Sequence, residues 1–409
     1  MTKHLDLIIR NAKLRGESNH LVDIGIVGDE ISNVDLEIKS TAKLEVDANG
    51  RLVSESFVNP HLHLCKVWTL NLTNEETLNA YQGAGMSNAA TAIDMAAEVK
   101  RLYGYEDILL KARRATALAA TYGNLHIRAF ADVDSISKLD AVKALLKVRD
   151  EFRGIVELQV VAFPQDGIIK NAGTADLMEQ AMALGADVVG GIPWIEYSDM
   201  DCQEHIKFCF DLAKKYDKDI SMLLDDAGDA GLRTLEMMAL ESIKNSWQGR
   251  CLAHHCRAMA LYPAPYLHRL LGLLKLADIS VITDPHTGPL HANVRELLSQ
   301  GVNVALGQDD ISDAYYPFGR NNMLEVAFLA SHLLWMTKKS DIECIFEMIT
   351  KNAALTMNLK NHEISVGSKA NIVVLQENDI VECIRNHSRP LYVVSNGKIL
   401  DDGLLSQLH

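Results

Sequence analysis

Seven cysteines in 409 residues are too few and too scattered to organise a fold. Cys65, Cys202, Cys209, Cys251, Cys256, Cys344 and Cys383 are odd in number and include no Cys-x-x-Cys pair. That excludes a disulfide framework and a thiolate zinc knuckle, and the thiols read as reduced and mostly buried. Basic blocks are missing as well. With 40 Lys and Arg against 54 Asp and Glu, the net charge is −14, so the chain offers no footprint for nucleic acid or an anionic membrane. No apolar stretch approaches the roughly eighteen residues of a membrane span, and charge interrupts the opening Met1-Thr2-Lys3-His4-Leu5-Asp6. The expected setting is the cytoplasm. No Gly-x-Gly-x-x-Gly follows the first central strand to suggest a dinucleotide. The His-x-Glu and Pro-Cys-x-x-Cys pair of the nucleic-acid-editing zinc deaminases is likewise missing.

What is present divides into two textures. Near the start, Leu5–Arg10, Val22–Val27 and Glu30–Val34 are β-rich runs without helix, with Gly28-Asp29 at a turn, and they read as short antiparallel strands. The end repeats the style in Ala370–Leu375 and Leu391–Ser395, with Asn396-Gly397 as a hairpin signal. Neither terminal piece has apolar surface enough for its own core. Residues 1–56 and 363–409 are therefore expected to form one composite β-sandwich domain.

Between them, strand and helix alternate. Candidate strands enter His61 and cover Leu125–Val133, Val156–Phe163, Asp187–Ile192, Asp219–Asp225, Arg250–His255, Ile279–Asp284 and Asn303–Gln308, with helical periodicity over, for example, Leu139–Arg149 and Cys202–Tyr216. Eight parallel strands with crossover helices predict an α/β chain with a (β/α)₈ TIM-type barrel over residues 57–362. Chemistry in such a barrel sits at the carboxyl ends of its strands. There the sequence places His61 and His63, Gln165, Asp225 and Asp226, His254 and His255, Asp284 and His286, and Asp309 and Asp310. His61-Leu62-His63 is the focus: strand alternation turns both imidazoles to one face, and a neutral imidazole is a common ligand for zinc. An isolated Asp after a strand is ordinarily a turn or cap residue, but recurrence of His and Asp at one level points to a metal site.

These residues, with Val161-Ala162-Phe163-Pro164-Gln165-Asp166-Gly167, Gly185–Gly191, Gln308-Asp309-Asp310 running into Tyr316-Pro317-Phe318-Gly319, Thr350…Asn352-Ala353-Ala354 and Val366-Gly367-Ser368-Lys369-Ala370, carry a family resemblance. The chain resembles the amidohydrolase superfamily, and within it the cytosine deaminase and N-isopropylammelide isopropylamidohydrolase branches, over essentially its whole length. The resemblance implies a hydrolase that releases ammonia or an alkylamine from a nitrogen heterocycle such as an aminopyrimidine or aminotriazine. It implies one divalent metal ion per subunit, zinc or iron(II), bound by His61, His63 and Asp309. Asp309 would also take the water's proton, His255 would orient that water, and Asp226 would carry a proton to the ring nitrogen. Gln165 would hold the ring, Asp310 would face the leaving amino group, and Lys66 and Trp68 would line the pocket. Its partners would be a small heterocyclic substrate, water and further copies of itself in a homo-oligomer.

The departures are as informative. Where both branches supply a fifth-strand histidine ligand, this chain has Leu223. Asp225, two residues on and so on the same face of a strand, or His255 could compensate. Asp226 is one methylene shorter than the family glutamate, and Phe130 and Gln308 stand where cytosine deaminase has histidine. Two other readings therefore stay open: hydrolysis of a cyclic or linear amide on the same barrel, and an impaired barrel that only binds. The long segment from Val67 to about Lys100 is large enough to be a lid.

Overall fold

A computed structural model of the chain describes residues 4–16, 20–73, 75, 76, 79, 86, 88–401 and 403. Eight consecutive parallel strands form the central sheet: β6 (Phe57–Leu62), β7 (Asn124–Asp132), β8 (Glu157–Phe163), β9 (Val188–Gly191), β10 (Asp219–Leu224), β11 (Cys251–His255), β12 (Ser280–Thr283) and β13 (Val304–Leu306). Each coincides with an expected strand. Helices cross between them, among them Tyr105–Thr121, Asp140–Glu151, Thr174–Ala183, Asp199–Tyr216, Thr234–Lys244 and Ala264–Leu276. Their buried faces, such as Val142, Leu145 and Val148, join one hydrophobic cluster with the outward side chains of the strands. Among the described residues no helix is long and apolar enough to cross a membrane.

Closure of this sheet into a barrel happens at its carboxyl end. Leu62 and Asp309 form a parallel bridge, in which the Asp309 amide donates to His61 O at 2.9 Å and the His63 amide to Asp309 O at 2.7 Å. Asn59 reinforces the seam: its Oδ1 accepts from the amides of His61 (3.3 Å) and Gln308 (3.1 Å), and its Nδ2 donates to Asn321. Pro60 has no N–H to give, and the pairing of β6 with β7 shifts register between Asn59 and Leu62. Gly307 allows the close approach, because a β-carbon there would lie 2.7 Å from that of His61.

Both chain ends build two further four-stranded sheets. One has the order β3-β2-β1-β4, from β1 (Leu5–Ala12), β2 (Val22–Val27), β3 (Glu30–Asp35) and β4 (Ala42–Asp47). The other has β16 (Lys398–Ile399), β15 (Tyr392–Ser395) and β14 (Ile372–Val374) followed by β5 (Val53–Glu55), so the two termini share a sheet. Leu7, Ile9, Ile24 and Ile26 pack in one cluster with Ile372, Val374 and Val394. The antiparallel expectation needs one correction: β4 runs parallel to β1. Its crossover is fastened by Asp23, which accepts the Ile38 amide, and by Arg10, which donates to Ser40 O, contacts that alternation cannot announce. A short helix, Ile380–Asn386, also interrupts the C-terminal strands. Within the anticipated lid, Ala89–Val99 is a helix; residues 74, 77, 78, 80–85 and 87 lie outside the described residues.

Two consequences are testable. Asn59→Ala leaves the buried Gln308 amide without its acceptor, and should reduce unfolding free energy by about 2–3 kcal/mol in urea titrations; a change under about 0.5 kcal/mol would mean the seam does not rest on Asn59. His362, whose Nε2–H donates to Ser56 O at 2.8 Å, is pushed down to about 4 by burial and by His126 beside it. An unfolded histidine titrates near about 6.5, so the unfolded chain binds more protons between those values. This contribution is complete above about pH 6.5 and is lost as pH falls toward 4. His362→Gln should flatten the fall in urea midpoint between about pH 6.5 and 5, and an unchanged fall would exonerate His362.

Candidate active site

The strand ends converge on a cavity of about 20 Å³, room for about one water molecule. Its polar wall is Lys66, Gln165 and Asp310, with His63, His255, Asp226 and Asp309 at the floor; Ile93, Ile192, Trp194, Leu223 and Tyr315 make the apolar side. Backbone turns aim several of these groups. Asp225, His255 and Asp309 have φ of 48°, 65° and 65°, a left-handed conformation that costs of order 1–3 kcal/mol per residue and persists where the surroundings impose it.

Asp309 is the hub. The Nε2 atoms of His61, His63 and His255 lie 3.0, 3.7 and 3.9 Å from its Oδ1, while Thr287 Oγ1 donates to its Oδ2 at 2.8 Å. Asp284 faces His255 Nδ1 at 2.8 Å, which directs the other ring nitrogen at Asp309. That Nε2 is buried and has no hydrogen-bond partner among the described residues, and the same holds for Nδ1 of His61 and of His63. Ligand atoms of His61, His255 and Asp309 lie within 4.8 Å of one another, and so do those of His63, Asp309 and Asp310; buried imidazoles and carboxylates of this kind are donors that zinc or iron(II) takes, so the residues present fit a divalent ion. Burial lowers the pKa of His61, His63 and His255, keeping their nitrogens unprotonated near neutrality. Burial opposes ionisation of Asp309 too, but His255 and His61 outweigh it and hold that carboxyl well below the usual range.

Of the residues singled out in the sequence, Lys66, Gln165, Asp226, Asp310, His63, His255 and Asp309 line the cavity, and His61 stands immediately behind them against Asp309. Lys66 donates to Gln165 Oε1 at 2.7 Å, leaving the Gln165 amide nitrogen for another partner. Trp68 is not brought to the cavity: its ring lies under Arg114, with 4.9 Å between guanidinium and ring centre. Trp194 is the tryptophan that lines it, and its buried Nε1 has no partner among the described residues. Asp225 does not compensate for Leu223. Its left-handed backbone ends the strand alternation, and its carboxylate instead takes the Thr234 amide (2.7 Å), Thr234 Oγ1 (2.7 Å) and Tyr262 OH (2.5 Å) at the start of the next helix. His254 points into the barrel with its ring 4.6 Å from that of His61, and Phe130 fills the space beside both.

Arg257 was not anticipated. Almost fully buried, it donates to Asp226, to Asp284 Oδ2 (2.5 Å) and to Thr287 Oγ1 (2.5 Å), with Asp309 Oδ2 at 3.6 Å. Burial raises the Asp226 carboxyl although Arg257 pulls the other way, a balance that suits a proton carrier. The sequence signal for Arg257 is slight, a cation two residues beyond His255; Asp284 at a strand end was the better marker of this network.

Comparison with known proteins agrees with this geometry. The amidohydrolase family pattern matches residues 44–401. N-isopropylammelide isopropyl amidohydrolase of Pseudomonas sp. (strain ADP) is 32% identical over 401 residues, 98% of each chain. Among solved structures, 5-methylcytosine deaminase of Klebsiella pneumoniae superposes with a TM-score of 0.88 at 28% identity, covering 96% of this chain and 97% of that one. N-isopropylammelide isopropylaminohydrolase of Burkholderia multivorans gives 0.83 at 25% identity, with 96% and 97% covered. A barrel closed through its own histidines and aspartate, with a family match across most of its length, places this chain in the amidohydrolase family.

Proposed function

We propose that this amidohydrolase removes an amino or alkylamino group from a nitrogen heterocycle of the aminopyrimidine or aminotriazine class, using one divalent ion, zinc or iron(II). The convergence of three imidazoles on Asp309 Oδ1, beneath a wall of Lys66, Gln165 and Asp310, is the observation that carries this reading. His61, His63 and Asp309 would hold the ion, and His255 lies next to Asp309. When bound, the ion supplies Lewis acidity that makes water a competent nucleophile near neutral pH.

The chain's own groups do the rest. Asp309, ionised and tethered by Thr287, takes a proton from the water that attacks the ring carbon. His255 orients that water through Nε2, because Asp284 occupies Nδ1. Asp226 delivers a proton to the ring nitrogen; the proton taken by Asp309 passes to the amine, which leaves as the carbon regains its double bond, now to oxygen, and the hydroxyl proton returns to Asp226. Arg257 keeps the short Asp226 side chain in place. Gln165 and Lys66 meet acceptors on the ring, and Asp310 stands by the departing amino group. Ile192, Trp194 and Leu223 exclude bulk water from the reacting side.

Protein purified without added metal and then loaded with zinc or iron(II) should retain about one ion per subunit, and should release ammonia or alkylamine from a panel of aminopyrimidines and aminotriazines. Near-zero metal after loading would sink the reading. Because Leu223 lines the same cavity, Leu223→His should tighten zinc binding by about tenfold or more in competition with a chelating dye; unchanged affinity would show that the β10 side chain does not reach the ion.

A further inference from the structure

The fifth-strand ligand is absent, and its nearest carboxylate, Asp225, is bound into the following helix. Resting on the metal-dependent reading of the site, we propose that Asp310 is a ligand of the ion, a second carboxylate from the end of β13 in place of the missing β10 imidazole.

Four observations support this assignment. Ligand atoms of His63, Asp309 and Asp310 all lie within 4.8 Å of one another, and all three residues are buried. Asp310 is only 3% exposed and lines the cavity shared by His63, Asp309 and Leu223. Its Oδ1 is buried and has no hydrogen-bond partner among the described residues, although burial and the neighbouring Asp309 and Asp313 favour the protonated carboxyl, a proton that an ion would displace. Finally, Asp309 and Asp310 lie beyond the end of β13 at Leu306, and both line the cavity, with a left-handed φ of 65° at Asp309.

Competing candidates are weaker. His254 has no hydrogen-bond partner for either ring nitrogen among the described residues, but it belongs to neither group of residues whose ligand atoms converge. Asp226 is held by Arg257. The chemistry also differs from the family set: exchanging an imidazole for a carboxylate adds a negative charge and a harder oxygen donor, which favours iron(II) and manganese(II) relative to zinc. Lys66, whose charge acts on Asp310 and also on His63, offsets the added carboxylate.

The test is metal binding to the full chain, with Zn²⁺ followed by dye competition and Co²⁺ by its visible absorption. Asp310→Asn should weaken zinc binding by tenfold or more and alter the cobalt bands, which report the ligand set directly. In a Leu223→His background, where the family ligand is restored, the same substitution should weaken zinc binding by less than threefold. Near-ultraviolet circular dichroism of the metal-free variants checks folding, with Asp310→Ser as a second variant should Asp310→Asn misfold. Zinc affinity within threefold of the parent together with unchanged cobalt bands would overturn the role of Asp310 while leaving the metal-dependent function standing. Failure of the parent protein to take up either ion would overturn both.

Discussion

The two backbone hydrogen bonds between Asp309 and the His61–His63 segment are the constraint on which the rest depends. A parallel barrel must join its last strand to its first, and here the joining residues are the candidate ligands themselves. Ligand spacing is therefore set by peptide geometry, which is stiffer than side-chain packing. Gly307 and Asn59 serve the same seam, one by giving room and the other by satisfying amides that the bulge at Pro60 would leave open. The left-handed Asp309 is tolerable because these contacts over-determine it.

Charge around the seam is equally ordered. Asp226, Asp284 and Asp309 would repel one another in a dry site, and Arg257 lies among all three. Its planar fork reaches several oxygens at once, which a lysine ammonium could not do. On the other side, Phe130, Phe163, Ile192, Trp194 and Leu223 form one apolar cluster. Low polarity there makes each remaining electrostatic contact stronger than it would be in water. Leucine at position 223 thus contributes to sharpening the charges that face it.

Much of this was legible in the sequence. Periodicity located all eight barrel strands, and hairpin chemistry at Asn396-Gly397 located β15 and β16. The rule that strand ends carry chemistry picks out His63, Gln165, Asp226, His255, Asp309 and Asp310, which line one cavity. What escaped depends on where the backbone leaves regular geometry or on contacts distant in sequence. Alternation put Asp225 beside Leu223, but a left-handed turn sends it to Thr234 and Tyr262. Proximity in sequence favoured Trp68, whereas Trp194 reaches the cavity from three strands away. The parallel placement of β4 follows from Arg10 and Asp23 gripping a crossover, which no pattern of hydrophobicity encodes.

Asp225 carries one more implication. By giving its carboxylate to the first amides of the next helix, it ties β10 to that helix without help from the residue two places before it. The hand-over from strand to helix therefore rests on Asp225 rather than on the side chain at position 223, which packs in the apolar cluster beside the cavity. The corner of the site occupied by Leu223 and the anchoring of the next helix are thus served by different side chains of one short strand end.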